Sequence, residues 1–183
     1  HAEAKVVRAI QAEDEIASIN IALGASFAGA RAMTCTSGGG FALMGEGFSL
    51  AGMSETPIVI AMSQRPGPAT GLPTRTSQGD LNFVLNAGHG EFSRIVLAPG
   101  DARECYEMSL RGFNLAERFQ VPVVVLLDKD VSVSVESWPV FKDSFKVDRG
   151  ELVARERSVS EGHRFKRYEF TKSGVSPRPQ PGL

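Results

Sequence analysis

Short apolar runs alternate with longer amphipathic stretches, and this rhythm sets the terms for what the chain can fold into. Val6-Val7-Arg8-Ala9-Ile10, Ala32-Met33-Thr34-Cys35-Thr36, Pro57 to Ser63, Ile95-Val96-Leu97-Ala98 and Val121 to Leu127 each read as a strand. The last is an unbroken Val/Leu run, the pattern of a strand covered on both faces. Glu13 to Ala30, Phe41 to Met53, Asp80 to Ala87 and the stretch after Asp101 read as helices, with Ser37-Gly38-Gly39-Gly40 as a break before the second of them. Such alternation predicts an α/β fold, a doubly wound parallel sheet, and right-handed crossovers place helices on both of its faces.

Two helices carry further expectations. In Glu13–Ala30, Ile16, Ile19, Leu23 and Phe27 line one side and Ala17, Ile21, Ala25 and Ala28 the other, so burial on both sides is expected. After Asp101, Glu104 is placed to complete a capping box, and Cys105, Met108, Gly112, Leu115 and Phe119 form the stripe expected to be buried.

A chain of 183 residues, 42% hydrophobic with a net charge of −1, has enough apolar content for one core. We place that domain at residues 1–135. Near-neutral charge gives no reason to expect nucleic acid or an anionic membrane as partner. No apolar run approaches the roughly 20 residues of a membrane span, and the first residues lack a signal-peptide pattern, so a cytoplasmic location is expected. Cys35 and Cys105 are the only cysteines, lack metal-type spacing, and are expected to be buried thiols. Past Asp130 the periodicity weakens. Trp138-Pro139-Val140-Phe141 reads as a short extended piece. Residues 136–183 read as an irregular extension, ending in a Pro-rich linker, Ser176–Leu183, toward a following domain.

Ligands of open parallel sheets bind beyond the carboxyl ends of the strands. Three segments fall there. The loop from Gln64 to Asp80 holds three prolines, three glycines and two arginines. It cannot be helical, and loops this long within compact domains are usually functional. Arg65 follows directly on a buried strand, and an anchored guanidinium suits bidentate capture of a carboxylate. Arg75 sits among hydroxyls, as a second ligand contact or a brace within the loop. Thr36-Ser37-Gly38-Gly39-Gly40 is a Gly-rich strand-to-helix turn, open to a phosphate, a flat ligand or a neighbouring chain. It matches neither the dinucleotide nor the P-loop pattern. Glu13-Asp14-Glu15 opens a helix, where acids favour the dipole whatever else they do. Glu15 precedes Ile16 and Ala17 closely enough to face a partly closed space, where a carboxylate needs a partner. His89, between Gly88 and Gly90, is a lesser candidate.

Taken together, Glu13-Asp14-Glu15-Ile16-Ala17, Arg31-Ala32-Met33-Thr34-Cys35-Thr36-Ser37-Gly38-Gly39-Gly40-Phe41 and Gly67 through Leu81 resemble the alpha subunit of 2-oxoacid:ferredoxin oxidoreductases. The segments Ala87-Gly88-His89-Gly90-Glu91-Phe92 and Leu97-Ala98-Pro99-Gly100-Asp101 fit as well. The resemblance implies the pyrimidine-binding domain for thiamine diphosphate, in an enzyme that decarboxylates a 2-oxoacid, reduces ferredoxin through [4Fe-4S] clusters and forms an acyl-coenzyme A. It implies that Glu15 hydrogen-bonds N1′ of the aminopyrimidine and stabilises the imino tautomer that deprotonates the thiazolium. It implies that Arg65 holds the 2-oxoacid carboxylate. Arg75 is carried as a second substrate contact, and Gly39 and Gly40 as cofactor contacts. A beta subunit is implied for the diphosphate and Mg²⁺, with gamma and delta subunits or domains as further partners. The family's upstream Tyr-Pro-Ile-Thr-Pro motif and its following domain are not in this sequence. The chain alone is therefore expected to be inactive and to bind thiamine diphosphate weakly or not at all. The style of the motifs leans to 2-oxoglutarate or a broad range of 2-oxoacids over pyruvate. The alternatives are the pyrimidine domain of another thiamine enzyme, such as a transketolase-like one, or a non-catalytic doubly wound assembly module.

Overall fold

The computed structural model describes residues 7–139, 145–153 and 166–181. The elements run α1 (Glu15–Phe27), β1 (Met33–Ser37), α2 (Gly38–Leu43), α3 (Gly45–Met53), β2 (Ile58–Gln64), α4 (Leu81–Asn86), β3 (Ile95–Leu97), α5 (Ala102–Phe119), β4 (Pro122–Asp128) and α6 (Lys129–Val133). All strand pairs are parallel, in the order β1-β2-β4-β3.

Side chains alternate across a strand, so β2 and β4 feed two cores. Ile58, Ile60 and Met62 of β2, with Val124 and Leu126 of β4, meet Ile19 and Leu23 of α1, Phe41, Met44 and Phe48 of α2–α3, and Val84 of α4. On the other face Val59, Val123 and Val125 meet Ala116 of α5, flanked by Phe113 and Leu115. Phe41 and Phe48 are fully buried in an edge-to-face pair 5.2 Å apart; each such burial stabilises by about 1.5–3 kcal/mol. Helices on both faces of a parallel sheet are the doubly wound arrangement expected.

Several expectations are corrected. Val7–Ile10 forms no strand, and Val7 and Ile10 are exposed, since no ladder partner reaches them. The three glycines do not break the chain but form the first turn of α2, and the Phe41–Met53 helix is two helices. α1 is buried on one side only, through Ile19, Ala22, Leu23 and Ser26, leaving Ile16, Ile21 and Phe27 open. Cys35 is exposed because β1 is an edge strand and α5 packs over β2, β4 and β3. On α5 the buried residues are Gly112, Ala116 and Glu117, while Phe119 is exposed. Asp101 does cap α5 by accepting from Glu104 N, but Glu104 reaches back to Gly100 N, one residue earlier than a capping box requires. Val140 and Phe141 lie outside the described residues.

Part of the Ser176–Leu183 stretch, expected to lie outside the core, packs on it. Ser176 and Arg178 are buried. Arg178 donates to Ser26 O at 3.0 Å and pairs with Glu117 at 3.2 Å. Arg149 donates to Gly29 O at 2.6 Å and pairs with the same carboxylate at 2.9 Å, and Arg31 approaches its other oxygen at 3.0 Å. Burial pushes the Glu117 carboxyl up, against the downward pull of Arg149, Arg31 and Arg178. One buried acid thus ties the chain's last described stretch to α1 and α5.

Candidate functional site

The carboxyl ends of β1 and β2 lie side by side, with Ser37 opposite Ser63. β1 passes straight into α2, and Ser37, at the N-cap, makes no side-chain cap bond. Glycine is a poor helix former, so three in one turn call for a reason in space. Side chains from separate segments fill the places where β-carbons would stand. At Gly38, Asp80 Oδ2 lies 2.7 Å from that place; at Gly39, Arg65 Nη2 lies at 2.8 Å and Ala69 O at 3.3 Å. At Gly40 the occupants are Glu15 Oε1 and Thr36 Oγ1. The turn is glycine because five residues of the surrounding chain crowd onto it.

Glu15 is the first residue of α1, held there by Asp14, whose carboxylate caps the helix by accepting from Ala17 N at 2.7 Å. The first-turn acids therefore divide the work: Asp14 serves the helix and Glu15 turns to Gly40. The Glu15 side chain is half-buried and has no hydrogen bond or ion pair among the described residues. Arg65 leaves the end of β2, also half-buried, with Nε buried and without a partner. A carboxylate and a guanidinium thus rest on successive residues of one helical turn, at the carboxyl edge of the sheet, each with its bonding capacity free.

The loop carrying Arg65 is tied at both ends. Gln64 is buried, and its Oε1 accepts from Asp80 N at 3.0 Å. Gln78 Nε2 donates to Asp128 Oδ2 at 2.9 Å, and Ser132 Oγ donates to Ser63 Oγ at 2.8 Å. Inside the loop Leu72 N donates to Pro66 O at 3.1 Å across Gly71, whose φ of +52° and contact with Pro66 O leave no room for a side chain. The Gly67–Pro68 bond is cis. Donation from Val131 N and Gln78 holds the Asp128 carboxyl below the usual carboxylate range.

The structure brings Glu15, Arg65, Gly39 and Gly40 together. Arg75 lies apart, exposed on the loop, its backbone amide donating to Leu72 O at 3.0 Å. His89 is exposed in the segment entering the amino end of β3, the opposite edge of the sheet, with its backbone amide donating to Ser49 Oγ at 2.8 Å. Thr36, Gln64 and Asp80 bound the segments picked out from the sequence but were given no role of their own. The three glycines were the available signal, since glycines opening a helix ask what approaches them.

The family model described as pyruvate flavodoxin/ferredoxin oxidoreductase, thiamine diphosphate-binding, matches residues 1–174. The chain belongs to that family. It is 48% identical over 172 residues to the 2-oxoacid:ferredoxin oxidoreductase 1 alpha subunit of Sulfurisphaera tokodaii, covering 92% of this chain and 27% of that protein. It is 48% identical over 128 residues to the 2-oxoglutarate synthase subunit KorA of Archaeoglobus fulgidus, covering 70% of this chain and 37% of that one. A solved 2-oxoglutarate:ferredoxin oxidoreductase from Magnetococcus marinus, with 2-oxoglutarate, coenzyme A and succinyl-CoA bound, superposes with a TM-score of 0.87 at 44% identity, over 95% of this chain and 30% of that one. The chain thus spans about a quarter to a third of the length of these relatives.

The residues fit the family's cofactor. A half-buried carboxylate with no protein partner is a costly group unless a donor meets it. A protonated or donating ring nitrogen would supply that donor. The glycine turn leaves room for the Glu15 carboxylate and the Arg65 guanidinium to rest beside one another against the backbone. Among the described residues no group of three or more His, Cys, Asp or Glu side chains is arranged to hold a metal ion, and no helix is long and apolar enough to cross a membrane.

Proposed function

We propose that this chain is the pyrimidine-binding part of a 2-oxoacid:ferredoxin oxidoreductase, with Glu15 holding N1′ of the thiamine aminopyrimidine and Arg65 holding the carboxylate of the 2-oxoacid. The observation that carries this reading is the pair itself: an unpartnered carboxylate over Gly40 beside an unpartnered guanidinium over Gly39. Bound thiamine diphosphate supplies the electron sink for oxidative decarboxylation. Glu15 keeps a proton at the ring nitrogen it faces, a general acid–base role worth about 10²–10⁴-fold. Arg65 orients the 2-oxoacid, and its anchored fork favours a planar carboxylate. Gly39 and Gly40 let the ring and the two side chains converge. Arg75, exposed on the same loop and apart from the pair, is proposed as a second substrate contact. The names of the Archaeoglobus and Magnetococcus relatives support 2-oxoglutarate, or a broad range including it, as substrate.

The diphosphate and its Mg²⁺ belong to a beta subunit, and [4Fe-4S] clusters to partner subunits or domains, with ferredoxin and coenzyme A as the acceptors. Support for a protein partner comes from apolar side chains open to solvent on the elements around the site: Leu43, Leu50, Leu81, Phe83 and Leu85. We place the α/β domain at residues 1–135 and an extension at 136–183, of which Arg149 and Arg178 pair with Glu117 of the domain. The location is cytoplasmic.

Arg65→Ala in the complete oxidoreductase tests the assignment. Loss of a charge-assisted hydrogen bond of about 1.5–3 kcal/mol raises KM for the 2-oxoacid roughly 10- to 100-fold, with KM for coenzyme A unchanged. Wild-type kinetics toward the 2-oxoacid would remove Arg65 from this role.

A further inference from the structure

Gln64 is the last residue of β2, and it is only 5% exposed. A polar side chain so deeply buried calls for a hydrogen-bond partner. At this position the β2 backbone pairs with Asp128 of β4, so the side chain is what turns to the loop. Its Oε1 accepts from the Asp80 backbone amide at 3.0 Å. The bond joins the residue before Arg65 to the residue before α4, and so closes the 65–79 loop at its base. A further tie, from Gln78 to Asp128, is exposed, where water competes for both partners.

We infer that Gln64 is a positioning residue: its amide oxygen clasps the loop shut, and the closed loop fixes the Arg65 guanidinium over Gly39. The loop returns to the spot where that guanidinium rests. The place of a β-carbon on Gly39 lies 2.8 Å from Arg65 Nη2 and 3.3 Å from Ala69 O. Leu72 N donates to Pro66 O at 3.1 Å, which folds the stretch carrying Ala69 onto the residue next to Arg65. Pro66 restricts the backbone of Arg65 itself, and Pro68 and Pro73 limit bending further along. A loop so stiffened moves as a body about its two ends, and the Gln64–Asp80 bond joins those ends. The role rests on the reading of Arg65 as the group that holds the substrate carboxylate.

Two variants of the complete oxidoreductase test it. Gln64→Met keeps the length of the side chain and drops the acceptor. It should speed amide hydrogen exchange across residues 66–79 by about tenfold in substrate-free enzyme. It should raise KM for the 2-oxoacid by about tenfold while leaving KM for coenzyme A unchanged. Gln64→Glu keeps an oxygen that accepts in either protonation state and should restore both readings toward wild type. A role in packing alone would reverse that order, since an apolar side chain tolerates burial better than a carboxyl does. The wild-type enzyme adds a reading that needs no variant to fold: with intrinsic rates divided out, the Asp80 amide should exchange at least about tenfold more slowly than the Gly79 amide. Equal protection of those two amides overturns the clasp, as does wild-type loop exchange in Gln64→Met or a Gln64→Glu enzyme no better than it. Faster exchange with an unchanged KM in Gln64→Met, where Arg65→Ala raises KM, overturns the positioning role and leaves Arg65 its task. An unchanged KM in Arg65→Ala removes the reading of Arg65, and the positioning role with it.

Discussion

At Gly40 a single hydrogen atom keeps Glu15 and Thr36 where they are. In an exposed helix, Gly→Ala gains up to about 1 kcal/mol. Here the new methyl would collide with both side chains, so Gly40→Ala should instead destabilise by about 1–3 kcal/mol, read from the urea midpoint. Glu117 is the opposite case, a residue whose loss leaves its neighbours stranded. Glu117→Ala removes the partner of three guanidiniums, of which that of Arg178 is only 4% exposed, and should cost about 3–5 kcal/mol in chemical denaturation. Arg103→Ala, at an exposed pair on α5, should leave the midpoint unchanged. Arg65 was legible from sequence because a strand end fixes where the next residue starts. Glu15 was legible only with the family's pattern beside it, since an acid in a first turn serves the dipole equally well. Asp80 was not legible: an acid at the start of a helix favours the dipole whatever else it does, and only the folded chain shows the side chain turned to Gly38.

Among the elements, the loop between β2 and α4 has a tether that titrates. Donors from Val131 N and Gln78 depress the Asp128 carboxyl in the fold. For a carboxyl so depressed, the stabilisation is fully present above its unfolded value, about 3.9, and is lost as pH falls through the folded value. The Gln78–Asp128 tie should therefore hold at neutral pH and loosen only as pH falls through the depressed folded value, below the ordinary carboxylate range, seen as faster proteolysis or amide exchange in residues 66–79. The buried strands could be read in advance because β2 and β4 lie at the centre of the sheet and are apolar on both faces. β1 could not be read as an edge, since strand order belongs to the whole sheet, and Cys35 is exposed for that reason. The split between α2 and α3 was hidden by glycines that look like a break and act as a first turn.

For the whole molecule, three candidate segments far apart in sequence converge on one corner, and the doubly wound topology does this by setting the starts of α1 and α2 at the carboxyl edge of the sheet. The return of Arg149 and Arg178 to Glu117 was beyond the sequence, because weak periodicity and prolines say nothing about a salt-linked strap. The central claim is that the Glu15 carboxylate faces the thiamine pyrimidine. Deuterium exchange at C2 of thiamine diphosphate, followed by proton NMR in the complete oxidoreductase carrying Glu15→Gln, tests it directly. Exchange slower by about 10²–10⁴-fold, with the cofactor still bound and the fold intact, is the predicted result; exchange at the wild-type rate would contradict it.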